Sequence, residues 1–538
     1  MVQPIANADS LFPHTHVPER ETDDRPREAC GVFGIWAPEL DVAVETFYGI
    51  HTLQHRGQES AGICTTDGRK LSVKTGMGLV AQVFDEESAA ELEGIAAIGH
   101  TRYSTTGASR FRNAQPILLE DPATSETVAV AHNGNVVNAA QVRAELTESG
   151  EVFETSTDTE VLAKYLLRQG EGEDDENELW ESRFTALMHH IEVAYSLVLL
   201  TPGRLMAARD PYGVRPLCIG RVGGRYVVAS ESCALDQLGA EFLRDVRPGE
   251  LITIDESGMR SYQAVVPAQP AGCAFEHIYF ARPDSILDGQ AAWHSRSQLG
   301  VELAREHPAD ADADVVIGVP DSATAHAIGY SSESGIPYSE GLVKNRYVGR
   351  TFISPDQRLR DLGAHLKYNP MPSVLAGRRV VVVDDTIVRG TTTPRIVKLL
   401  REAGAAEIHM RIAAPPIRHP CHFGVDMATR QELIAARQSV EEIRQHLGAD
   451  SLGYLSLDGL QRALGLGKPT CLACFTGNYP VSVQTDFEID TLTVPLVTAP
   501  VPTSTNGNGA SNGNSGGNGT RRGARSDETM VALAPERR

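Results

Sequence analysis

The sequence predicts a two-domain α/β protein, a strand-rich first half joined to a second half built on a parallel sheet. Three observations carry that prediction. A chain of 538 residues exceeds what one ordinary core fills, so two sizeable domains are expected. Residues 30–267 carry short apolar runs punctuated by Gly and Pro, the rhythm of hairpin strands with helices between them. Over residues 268–499 the rhythm becomes strand, turn, helix, with Val- and Ile-rich runs that a parallel sheet buries on both faces.

Residues 1–29 read as a loose leader, polar and acidic, with Asp23, Asp24 and Glu28 among its arginines. It lacks the apolar segment of a secretory signal and is too acidic for a transit peptide, which predicts a cytoplasmic protein with reduced thiols. The eight cysteines then point to catalysis, metal binding or burial rather than to disulfides. A formal net charge of -21 argues against nonspecific binding to nucleic acid or to an anionic membrane. No run of about 18 apolar residues is present, so no membrane span is expected.

Thr127–His132 (TVAVAH) and Ser196–Leu200 (SLVLL) are strand candidates of the first half. Six of the eight residues from Glu171 to Glu178 are acidic, which reads as an exposed loop. In the second half Asp314–Val319 and Val380–Val383 read as buried strands, the latter followed by a polar turn and a helix through about Ala403. Residues 500–538 contain NGNGASNGNSGGNG, which cannot bury a core and reads as a disordered tail.

The most informative segment is VVVVDDTIVRGTT, Val380 to Thr392. An apolar strand ends in Asp384 and Asp385, and a Thr/Gly loop then opens a helix, with Thr393 and Pro394 fitting its start. Free amides at that helix start, with the hydroxyls of Thr386, Thr391 and Thr392, form a cradle for phosphate. Gly390 allows close backbone approach. The two carboxylates can accept from vicinal sugar hydroxyls and hold Mg²⁺. The segment resembles the phosphoribosyl diphosphate loop of the type I phosphoribosyltransferases. That resemblance implies that Asp384, Asp385, Thr386, Arg389, Gly390, Thr391 and Thr392 bind phosphoribosyl diphosphate. GLVKNRYVGRTFI, Gly341 to Ile353, resembles the loop that closes over the diphosphate in glutamine-dependent members, with Lys344, Arg346 and Arg350 as its cations. The same resemblance places Ser322, in VPDSA, beside Asp384 and Asp385 as a magnesium position.

In the first half Cys30 begins CGVFGI and is followed by LQHRGQESAGI, HTRYSTTG, HNGNVVN, STDTE and RDPYGVRPL. Together these resemble the glutaminase domain of the N-terminal nucleophile amidotransferases, which implies an αββα sandwich and a leader removed ahead of Cys30. An exposed cysteine can carry both nucleophile and base, because an α-amine with a pKa of about 7.7–8.0 is partly unprotonated near neutrality. The resemblance assigns Arg102 to the glutamine carboxylate and Asp158 to its ammonium. It assigns the Asn133 side chain and the Gly134 N–H to the oxyanion hole.

Cys471 and Cys474 form a C-x₂-C pair, a spacing that zinc, an iron–sulfur cluster or a redox pair would each use. With the segments around Cys273 and Cys421 they resemble the Bacillus-type amidophosphoribosyltransferases, which implies four ligands to a [4Fe–4S] cluster, with zinc as the alternative. Cys64, Cys218 and Cys233 read as packing residues.

The combined resemblance implies an enzyme that hydrolyses glutamine at Cys30 and adds the ammonia to phosphoribosyl diphosphate, giving 5-phosphoribosylamine for purine synthesis. It also implies purine nucleotide inhibitors and a homotetramer. Two rivals are a different glutamine amidotransferase, such as the hexosamine-forming kind, and a non-enzymatic regulator that senses purine pools. The acid-pair loop speaks against the first. The full set Cys30, Arg102, Asn133 and Asp158 speaks against the second.

Overall fold

The strands of the first half form two antiparallel sheets stacked face to face. One holds seven strands, in the order Glu241–Asp245, Cys218–Val222, Arg225–Ala229, Gly31–Trp36, Ala96–Arg102, Ser60–Thr66 and Leu71–Met77. The other holds six, in the order Gly258–Gln263, Glu250–Asp255, Arg204–Arg209, Tyr195–Thr201, Thr127–Gly134 and Ile117–Glu120. Alternation along each strand divides the apolar side chains between two layers. Val32, Ile98, Ala129, Ala131, Val198 and Leu205 meet between the sheets. Phe33 and Ile35 face outward, packing with Phe47 and Ile50 of the helix Val42–Thr52. On the other side Leu197 and Leu199 pack with Leu162 and Phe184 of the helices Asp158–Arg168 and Glu176–His190. The layers are helix, sheet, sheet, helix, the αββα sandwich expected. These features belong to a computed structural model, whose described residues are 30–483 without 104–109, 122–123, 169–174, 267–268, 310–311, 346–367, 426, 428 and 468. The leader, Arg346, Arg350 and the tail lie outside the described residues.

The second half centres on a parallel sheet in the order Val315–Gly318, Arg379–Asp384, Glu407–Ile412 and Ser451–Tyr454. Val315, Ile317, Val380 and Val382 pack on one face, against Ile396 and Leu400 of the helix Thr393–Glu402. Val316, Val381 and Val383 pack on the other, against Leu299 and Leu303 of the helix Ala292–Glu306. Continuous valine runs are what a sheet covered on both faces requires. The described chain up to Val481 forms one compact unit; of the second unit, Ser482–Arg538, only Ser482 and Val483 are described. Among the described residues no helix is long and apolar enough to cross a membrane.

The acidic stretch departs from expectation. Glu176, Asn177 and Glu178 start the helix Glu176–His190 instead of lying in a loop, and the Asp175 carboxylate caps it by accepting from the Asn177 and Glu178 amides. Acidic residues are favoured at a helix N-terminus because they meet unpaired N–H groups and the positive end of the dipole. Charge density alone had hidden this.

Candidate active site

Cys30 is buried immediately before the strand Gly31–Trp36. Gly31 is opposite Thr101 in the neighbouring strand, whose last residue is Arg102. The pairing therefore carries the cysteine to the arginine. The thiol donates to the Tyr103 carbonyl at 3.4 Å, and Arg56 Nε donates to the Cys30 carbonyl at 3.2 Å. Burial pushes the thiol pKa up, the Arg102 charge opposes this and the Asp158 charge adds to it. Gly57 is forced by crowding, since a Cβ there would sit 2.6 Å from the Thr101 carbonyl carbon.

A histidine links the two sheets at this end. His100 Nε2 lies 3.0 Å from the His132 carbonyl oxygen, and two residues further along each strand stand Arg102 and Gly134. Asn133 is wholly buried, and neither its side-chain oxygen nor its nitrogen has a hydrogen-bond partner among the described residues. Gly134 has φ +147, and a Cβ on it would lie 2.1 Å from the Ala194 carbonyl oxygen, so only glycine fits. Asp158 Oδ1 lies 3.5 Å from His132 Nδ1, and its Oδ2 accepts from the Val136 amide at 3.0 Å. Burial pushes the Asp158 carboxyl up, but the His132 ring and that amide outweigh it, leaving it below the ordinary value. An anionic Asp158 is what a substrate ammonium needs.

Contacts run from here into the second half. Arg56 pairs with Glu231 and places Nη2 2.7 Å from Glu276 Oε1, on the π-helical turn Glu276–Phe280. Arg215 Nη2 reaches the same oxygen at 2.6 Å. Glu231 Oε2 accepts from Ser285 Oγ and from the Arg282 amide. Burial pushes Glu231 and Glu276 up, and their cations hold both below the usual carboxylate range. Asn135 Nδ2 donates to the His422 carbonyl at 2.8 Å, and a Cβ on Gly424 would sit 3.0 Å from the Gly134 carbonyl carbon.

In the second half Asp384 ends its strand and accepts from the Asp385 amide at 3.0 Å. Thr386 Oγ1 donates to Asp385 Oδ2 at 2.8 Å, while Asp385 Oδ1 is buried with no partner among the described residues. Gly390, at φ +72, turns the loop toward the helix Thr393–Glu402, with Thr391 and Thr392 directly before its first turn. Arg389 faces Glu432 at 2.8 Å, and Lys344 Nζ donates to Asp321 Oδ2 at 3.1 Å. The Ser322 hydroxyl is buried and without a partner among the described residues. Asp385 Oδ1 and Ser322 Oγ are thus oxygen atoms that water, a sugar or a cation could satisfy.

Cys273 and Cys471 lie opposite each other in a short parallel pair, and Cys421 and Cys474 complete the wall of one cavity with Arg215, Phe275, Phe423 and Tyr479. The four come from three distant segments, so packing alone gathers them. Burial pushes all four thiols up, Cys273 to about 11, and Cys474 is raised further by the other three. A bound cation would reverse that balance. Among the described residues no three His, Cys, Asp or Glu side chains are arranged as a site for a metal ion. Cys64, Cys218 and Cys233 are buried in the apolar layers of the first half, as packing residues should be.

Residue-type reasoning missed the connectors Arg56, Arg215, Glu231, Glu276 and Asn135. The available signal was a charged residue set inside a glycine-rich or apolar motif, as Arg56 is in LQHRGQESAGI and Glu276 is in CAFEHIYFARPDS.

Residues 100–237 match the glutamine amidotransferase domain family, and residues 284–419 match the phosphoribosyl transferase domain family. The chain is 47% identical to the amidophosphoribosyltransferase of Synechococcus elongatus, over 89% of this chain and 97% of that one. It is 47% identical to the amidophosphoribosyltransferase of Bacillus subtilis, over 85% of this chain and 95% of the relative. The solved structure of the B. subtilis glutamine phosphoribosylpyrophosphate amidotransferase complexed with ADP and GMP superposes with a TM-score of 0.79, covering 85% of this chain and 98% of that one. With one fold carrying both halves and relatives matched nearly end to end, the chain belongs to the amidophosphoribosyltransferase family.

Proposed function

We propose that this protein makes 5-phosphoribosylamine, glutamate and diphosphate from glutamine, water and phosphoribosyl diphosphate, a step of purine biosynthesis. The observation that carries the reading is Asn133, a wholly buried amide with no partner among the described residues, beside Gly134. A buried orphan amide is costly to the resting protein and useful to an oxyanion.

With the leader removed, the Cys30 α-amine takes the thiol proton and the sulfur attacks the glutamine amide. The amine returns that proton to the amide nitrogen, the C–N bond breaks to release ammonia, and water then cleaves the thioester to glutamate and the free thiol. Arg102 holds the substrate carboxylate and Asp158 its ammonium. Asn133 and the Gly134 N–H stabilise the tetrahedral oxyanions before and after the thioester. Ammonia then displaces diphosphate at the ribose. There the Thr386–Thr392 loop holds the 5-phosphate, Asp384 and Asp385 orient the ribose hydroxyls, and Lys344 meets the diphosphate. Asp384, Asp385 and Ser322 would hold Mg²⁺, which supplies positive charge to the departing diphosphate. Cys273, Cys421, Cys471 and Cys474 would hold a [4Fe–4S] cluster that ties the halves together, with zinc as the alternative. The gathering of these four, from three distant segments, round one cavity supports the reading. A cytoplasmic homotetramer inhibited by purine nucleotides completes the reading; the B. subtilis structure was solved with ADP and GMP.

The test is synthesis from glutamine and phosphoribosyl diphosphate, with intact-mass measurement of the active protein. The expected result is diphosphate release that requires both substrates, from chains beginning at Cys30. Full glutaminase activity in chains that still carry Ala29 would refute the α-amine as base.

A further inference from the structure

Arg215 is the one charged side chain among the described residues lining the four-cysteine cavity, and it is wholly buried. Its Nη2 lies 2.6 Å from Glu276 Oε1 without the alignment of a hydrogen bond, and its Nε and Nη1 meet no acceptor among the described residues. A guanidinium does not shed its proton, so burial cannot neutralise it as it can a lysine. Unmet N–H groups on a buried cation are among the more costly features a fold can hold. Acceptors that the described protein atoms do not provide are therefore expected at Nε and Nη1. The cavity wall offers sulfur, and the Arg215 charge already opposes the effect of burial at Cys273, Cys421 and Cys471.

We propose that Arg215 Nε and Nη1 donate hydrogen bonds to sulfur of an anionic tetrathiolate centre held by Cys273, Cys421, Cys471 and Cys474, and that its guanidinium is the counter-charge of that centre. The proposal rests on the reading that these cysteines hold a metal centre. Four thiolates leave a net negative charge with either a [4Fe–4S] core or zinc, so a fixed cation stabilises both. Hydrogen bonds and charge near the sulfurs are also levers on cluster potential. The same guanidinium pairs with Glu276, which accepts from Arg56, which donates to the Cys30 carbonyl. Arg215 is thus a positioning residue at one end of an ion-pair chain whose other end is the nucleophile's backbone.

Anaerobically prepared holoprotein is compared with Arg215→Met and Arg215→Lys. Iron, sulfide and zinc are measured first, then the potential of one-electron reduction by dithionite and the rate at which the chromophore bleaches in air. Loss of the cation favours the more oxidised centre, so Arg215→Met should shift the potential to more negative values and bleach severalfold faster. Arg215→Lys, which keeps the charge but loses the planar fork, should fall between Arg215→Met and wild type. If Arg215→Met does not fold, Arg215→Lys alone decides against its parent. A wild-type potential and bleaching rate in the variants that fold would overturn the proposal and leave the cluster reading intact. Zinc without iron in wild type would remove the cluster, and the proposal would then require severalfold faster zinc release to a chelator from the variants. Wild type free of both metals would overturn the metal reading itself, and this proposal with it.

Discussion

Asn135 donates its side-chain amide to the backbone carbonyl of His422 at 2.8 Å. That bond fastens the residue after Gly134 to the residue after Cys421, so the proposed oxyanion hole and the four-cysteine cavity are joined through neighbouring residues of the chain. Gly424 closes the same contact against Gly134, at φ +102.

Gly424→Ala should therefore disturb the glutaminase site from the second half. A Cβ there meets the Gly134 carbonyl carbon at 3.0 Å in a conformation that L side chains rarely adopt. A displaced oxyanion donor predicts a fall of about tenfold to a hundredfold in glutamine-dependent synthesis. Synthesis from ammonium salt should be unchanged. Equal loss with both nitrogen sources would mean that the contact does not act on the oxyanion hole.

The two half-reactions should separate. Cys30→Ala removes the attacking sulfur and leaves the ribose site intact, so it should lose glutamine-dependent synthesis and keep the ammonia-driven reaction at raised pH. Asp384→Asn with Asp385→Asn should lose both. Rates from ammonium salt in the two folded variants decide the matter. Loss of the ammonia reaction in Cys30→Ala would sink the two-site division.

Asn133→Leu should separate function from stability. The amide has no partner among the described residues, so an apolar side chain of similar size relieves a desolvation cost. The expected outcome is an unchanged or raised urea midpoint with glutamine turnover lower by about 10²–10³-fold. A clearly lowered midpoint would show that the amide is satisfied in the native protein.

His326 is wholly buried, and burial, with the Arg296 charge beside it, lowers its pKa to about 3. The unfolded ring takes its proton near 6.5 and the native ring does not until about 3. Its contribution to stability is therefore complete above pH 6.5 and is lost progressively as pH falls toward 3. At pH 5 the loss is about 2 kcal/mol. His326→Leu should flatten the fall in unfolding free energy between pH 7.5 and pH 5 by about that amount. An unchanged slope in urea titrations at both pH values would contradict the buried neutral ring.

Cys471→Ser should lose the metal and destabilise the protein, because ligand binding and folding are coupled. Metal content and thermal midpoint of the anaerobic protein check this, and retention of both would remove Cys471 from the ligand set.

The sequence by itself determined whatever is written within a few consecutive residues. VVVVDDTIVRGTT specifies a buried strand, a carboxylate pair at its end and a helix opening at Thr393, and the structure has each in that order. The valine runs required a sheet covered on both faces, and the sheet from Val315 to Tyr454 is covered so. Local chemistry can be read this way because strand ends, turns and caps depend on their immediate neighbours. The acidic run before Trp180 shows where such reading stops, since charge gives the same signal in a loop and at the start of a helix. Only the tertiary structure decided what meets across long separations. It brought Cys273, Cys421, Cys471 and Cys474 to one cavity, aligned Arg56, Glu276 and Arg215 as a buried chain, and laid Gly424 on Gly134. Such contacts are set by which faces of two sheets and their loops bury each other, and no spacing within either half encodes that choice.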